Sequence, residues 1–129
     1  MLGVLHVPIA KLLHHKSPYS IAQIITLLIA SAILVGTLLP VSQLPEVDGG
    51  DKAAHLIAFA LLSLPLNLVA YPRWFMLNTG FVLFGGAIEF IQPFVGRHGE
   101  WLDLGADMLG VVGGLLVARG LHLLIGRGD

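Results

Sequence analysis

Residues 21–39 run nineteen positions without a charged side chain. That is close to the ~20 residues an α-helix needs to cross a hydrocarbon core of about 30 Å. Three further apolar runs follow, at 53–70, 74–95 and from about 101 to 124. In lipid every backbone polar group must be satisfied within its own segment, so runs of this length are read as helices. The first run exceeds the ~7–15 residues of a signal-peptide core and no small-x-small cleavage site follows it, so it reads as a retained span. The expected fold is all-α: a polytopic membrane bundle of four transmembrane helices.

The rest of the composition agrees. Charged residues make up 12% of the 129 and hydrophobic residues 56%, with a mean hydropathy of +0.87. A soluble domain this small needs far more charge to wet its surface. A net charge of −1 provides no basic footprint, so no nucleic-acid partner is expected. With no cysteine, thiolate chemistry and disulfides are excluded. The expected organisation is a cytoplasmic N-terminal segment over 1–19, one transmembrane domain over 20–125 and a tail over 126–129. Leu2, Leu5, Ile9 and Leu12 recur at spacings of three and four, which allows a short N-terminal interfacial helix interrupted at Pro8.

Orientation follows from the cations. Lys11, Lys16, Arg73, Arg119 and Arg127 fall on the side shared by the termini, and only Lys52 and Arg97 on the other. This bias predicts cytoplasmic termini.

The ionisable residues gather at the opposite, outer end. Asp51 and His55 are four apart, Glu89 and Gln92 three apart, and Asp103 and Asp107 four apart. Residues at those spacings share a helix face, so the three pairs are expected to point into one bundle centre. At 1.5 Å per residue, Asp107 lies about 9 Å into the fourth span and Glu89 a similar depth into the third. A carboxylate at such depth costs about 2.5–3.5 kcal/mol on insertion scales, and an intramembrane ionisable residue is a functional-site candidate by default. The competing reading is a neutralised network that only holds helices together. Interhelical polar contacts return just ~0.6 kcal/mol each, little for burying three carboxylates. Lys52, Arg97 and His55 are the available partners, with Arg97 expected to be the main counter-charge. Pro93 has no N–H to give the Glu89 carbonyl, and Gly96 and Gly99 let the chain turn tightly around Arg97. Ala106, Gly110, Gly114 and Ala118, each four apart, form a small-residue stripe for close helix packing, within one chain or in a homo-oligomer.

The ordered set Asp51-Lys52-Ala-Ala-His55, then Glu89-Phe-Ile-Gln92, Arg97, Asp103 and Asp107-Met-Leu-Gly110 resembles the VanZ-like family of integral membrane proteins. The resemblance spans about half of the chain, 48–114. Many members carry Asn where this chain has Asp107. The resemblance implies a bacterial envelope location and a link to resistance against the glycopeptide teicoplanin; it supplies no reaction.

Three chemistries fit the cluster. The first is an extracytoplasmic polar cleft that binds a lipid-linked or cell-wall-related ligand, or a protein partner, within membrane lipid. The second is an intramembrane enzyme acting at the outer leaflet, with Glu89 or Asp107 as general base, His55 as acid–base partner and Arg97 as anion clamp. The third is a divalent cation held by His55, Glu89, Asp103 and Asp107. No nucleophile elbow, phosphate-cradling glycine loop or lipid-phosphatase signature occurs. The reading carried forward is the first, with catalysis as its alternative and with no cofactor or metal assigned.

Overall fold

The computed structural model of the protein describes residues 17–39 and 50–125. Four long helices account for most of them: α1 (Pro18–Leu38), α2 (Gly50–Val69), α3 (Trp74–Ile91) and α4 (Trp101–Ile125). Short 3-10 turns, Tyr71–Arg73 and Gln92–Val95, precede and follow α3. Among the described residues there is no strand. All four helices, α3 taken together with its following turn, are long and apolar enough to cross a membrane. The N-terminal interfacial helix, His6, His14 and His15, and the tail over 126–129 lie outside the described residues.

Each boundary has a local cause. The Ser17 hydroxyl accepts from the Ser20 N–H, and Pro18 fills the first turn of α1, where a missing N–H costs nothing. In the first turn of α2, Asp51 faces the positive end of the helix dipole. Pro93 ends the α-helical bonding of α3 and leaves a tighter turn, closed by Gly96 at φ +76°, a left-handed conformation that favours glycine.

The helices alternate in direction. Asn67 near the end of α2 exchanges two 2.9 Å side-chain bonds with Asn78 near the start of α3. Gln92, just past α3, reaches Thr37 at the end of α1. Lys52 at the start of α2 meets Glu100 and Asp103 at the start of α4. The end of α1, the start of α2, the end of α3 and the start of α4 therefore share one end of the bundle, where the polar cluster lies.

The most extensive helix contact is between the parallel pair α2 and α4. A Cβ on Gly110 would strike the Leu56 carbonyl oxygen, and one on Gly114 would strike Ser63 Oγ and the Ala60 carbonyl oxygen. The small-residue stripe is thus consumed inside a single chain. Apolar packing is modest: Ile33, Phe59, Leu62, Ile88 and Val111 form the buried cluster, with the Phe59 and Phe84 rings 6.0 Å apart.

Solvent exposure runs opposite to that of a water-soluble bundle. Trp101 is 88% exposed and Phe94 78%, whereas Asp107 is 0% exposed and Gln92 2%. Large apolar side chains cover the outside, while polar and charged ones share the inside with the apolar cluster, an arrangement that suits a lipid environment.

Candidate functional site

Helix α2 sets the site. Asp51, His55, Phe59, Ser63 and Asn67 follow one another at steps of four, so one stripe of α2 faces the other helices. His55, Ser63 and Asn67 are buried polar residues on that stripe. His55 Nδ1–H donates to Asp107 Oδ1 at 2.8 Å, joining α2 to α4 within the bundle. Ser63 Oγ donates to the Val111 carbonyl oxygen one turn deeper, at 3.2 Å. Asp107 reaches inward because α3 presents glycine opposite it: a Cβ on Gly85 would lie 2.8 Å from Asp107 Oδ2.

Glu89 completes the centre from α3. Its Oε2 accepts from the Glu100 N–H at 2.9 Å, which fastens the entry of α4 to α3. The carbonyl that Pro93 leaves without its helical donor is covered by Gly99, where a Cβ would lie 2.5 Å from the Glu89 oxygen. The Glu89 side chain thus holds the short loop that also packs closely against its backbone carbonyl. His55, Glu89 and Asp107 each bring one donor atom within 4.8 Å of the others. Asp51, His55 and Asp103 form a second such group at the rim.

Lys52 is the cation nearest this cluster. Its Nζ donates to Glu100 Oε2 at 3.0 Å and lies 3.5 Å from Asp103 Oδ1. Asp51 is largely exposed, with its Oδ1 3.8 Å from His55 Nε2.

Two expectations are corrected. Arg97 is not the main counter-charge of the buried carboxylates: its guanidinium donates to the carbonyl oxygens of Gly36 at 3.0 Å and Leu39 at 3.3 Å. Gln92 does not point at the centre with Glu89; its Nε2 donates to the Thr37 carbonyl oxygen at 3.3 Å. The last carbonyls of a helix have no intrahelical partner. Arg97 and Gln92 satisfy those of α1, and their positive or donor ends suit the negative end of its dipole. Of the residues expected in the cluster, His55, Glu89, Asp103 and Asp107 come together with Lys52 and Asp51 at the rim, while Gln92 and Arg97 tie the loop after α3 to α1.

Sequence reasoning missed Ser63, Asn67 and Glu100. The step of four that links Asp51 to His55 continues through Ser63 and Asn67, so the first two were detectable. Glu100 acts partly through its backbone N–H, which leaves no side-chain signal.

Two cavities adjoin the cluster. One, of about 530 Å³, lies between α1 and α2, with apolar walls that include Ile29, Ile33 and Ala58, and with Asp51, His55 and Arg97 among its lining residues. The other, of about 490 Å³, lies between α3 and α4 and is lined by Glu89, Phe90, Phe94 and Trp101.

Fold and site together define a small helical bundle of membrane-spanning character with a buried carboxylate–histidine centre near one end. No family model, curated protein or solved structure matches the chain.

Proposed function

We propose that this chain is a VanZ-like protein of the bacterial inner membrane that binds a lipid-linked, cell-wall-related ligand in the cavity between α1 and α2, with its termini in the cytoplasm and the polar cluster facing outward. The cavity carries this reading. It combines apolar walls suited to a prenyl or acyl chain with Arg97 and His55, which suit an anionic headgroup. Binding sites of this size are mostly apolar with a few polar groups that fix orientation. The cation bias supports the orientation, and the ordered Asp51 to Gly110 motif supports the family reading and the link to glycopeptide response.

The test is purification in detergent followed by mass spectrometry of retained lipids. A prenyl-phosphate lipid should accompany the wild type and be lost from Ala54→Trp, which fills the cavity without altering the polar cluster. A wild type without retained prenyl-phosphate lipid refutes the ligand class.

The His55–Asp107 pair favours a second reading, catalysis at the outer leaflet. A buried carboxylate that holds one imidazole nitrogen leaves the other for proton transfer. Under that reading His55→Gln abolishes turnover of a lipid-linked substrate in vesicles yet still retains the lipid.

A further inference from the structure

Several oxygens at the centre have no hydrogen-bond partner. Glu89 Oε1 and Asp107 Oδ2 are both fully buried and unpaired. The other oxygen of each carboxylate is engaged: Glu89 Oε2 takes the Glu100 N–H, and Asp107 Oδ1 takes the His55 N–H. Each carboxylate is therefore held by one oxygen and offers the other. A buried anionic oxygen without a donor is costly, and a group left so needs an ion, a proton or water. Lys52 does not serve them, because it is drawn to the rim by Glu100 and Asp103.

We propose that His55, Glu89 and Asp107 form a binding site for one divalent transition-metal ion. The donor set is one imidazole and two carboxylates, whose two negative charges match a divalent cation. This mixture suits Zn²⁺ or Mn²⁺, whereas Ca²⁺ takes about six to eight oxygens. Ligands at about 2.0–2.2 Å from a common ion stand roughly 3–4 Å apart. The three donor atoms here lie within 4.8 Å of one another, so small side-chain rotations close the site. His55 Nδ1 loses its proton to solvent when an ion takes its place, the usual exchange for an imidazole ligand. Asp51 Oδ1, 3.8 Å from Nε2, would need a small rotation to accept from the second ring nitrogen, and the Glu100 N–H orients Glu89. Access exists on two sides, since His55 lines one cavity and Glu89 the other. Three protein ligands leave positions free for water or for an anionic ligand. The site stands independently of the lipid proposed above.

The experiment uses the full chain in detergent, purified with a tag that contains no histidine and stripped with a chelator. It is then equilibrated with Zn²⁺, Mn²⁺ or Ca²⁺, desalted and subjected to elemental analysis and thermal unfolding. Zn²⁺ or Mn²⁺ should be retained at one ion per chain and raise the unfolding temperature by several degrees; Ca²⁺ should do neither. Asp107→Asn and His55→Ala should bind at least about tenfold more weakly, while His98→Ala, which removes an exposed imidazole outside the site, retains the ion. A wild type that neither retains nor is stabilised by Zn²⁺ or Mn²⁺ overturns the site, as does equal retention by a folded Asp107→Asn. Where a variant does not fold, the stabilisation of the wild type decides alone.

Discussion

Asp107 occupies the most enclosed position of any charged side chain among the described residues, and its neighbours are arranged around that fact. Its partner His55 is also buried, so truncation strands an imidazole N–H away from water. Asp107→Ala should lower stability by roughly 1–3 kcal/mol, the cost of an unsatisfied buried polar group. Asp107→Asn keeps an oxygen for the His55 N–H and should cost about 1 kcal/mol or less. Thermal unfolding in detergent compares the two, and equal losses would mean that charge rather than hydrogen bonding holds the pair. Gly85 is a second test at the same point. Ala at 85 places a methyl 2.8 Å from Asp107 Oδ2 and 3.2 Å from Phe59 Cε1, an overpacking that should cost about 1–3 kcal/mol. Gly86→Ala, with open space around its Cβ, should be neutral in the same assay.

Between elements, α2 and α4 approach so closely that a side chain at Gly114 has nowhere to go. Gly114→Leu would drive into Ser63 and the α2 backbone, which cannot yield as a flexible side chain would. It should abolish a monodisperse bundle in size-exclusion chromatography, whereas Gly113→Leu, directed into open space, should behave like wild type. Tolerance of Gly114→Leu would separate the two helices. The stripe that carries this packing was legible as sequence because small residues at four-residue spacing have one dominant use in lipid. The spans were legible for a similar reason: bilayer thickness fixes their length. Helix faces made it legible that His55 and Asp107 point toward one bundle centre, but not that they pair directly at 2.8 Å. The roles of Arg97 and Gln92 were not legible, because their partners are the terminal carbonyls of α1, and a backbone acceptor leaves no mark in a list of side chains. Arg97→Ala tests the role that the structure gives this residue. It removes hydrogen bonds that clasp the loop after α3 onto α1, so the expected result is protease sensitivity at that loop rather than collapse of the carboxylate centre.

At the scale of the molecule, four long apolar helices with a largely apolar exterior fit a bilayer, and the distribution of charge predicts the direction. The stretches of sequence that join α1 to α2 and α3 to α4 at the cluster end are short, and positive charge in short connections governs orientation. The opposite end carries Arg73, and Arg119 lies 5.5 Å over the Trp74 ring, an aromatic–cation pairing suited to the headgroup level. The cluster end should therefore face outward. Because the chain contains no cysteine, each single-cysteine variant reports one position without background. Cysteine at His98, an exposed residue between α3 and α4, should react with a membrane-impermeant maleimide in intact cells, as should cysteine at Gly49. Cysteine at Gly3 or Gly128 should react only after the membrane is permeabilised. The reverse pattern would turn the His55–Asp107 centre toward the cytoplasm. It would leave the metal chemistry intact but remove outer-leaflet lipids and cell-wall precursors from the ligands that the α1–α2 cavity can meet.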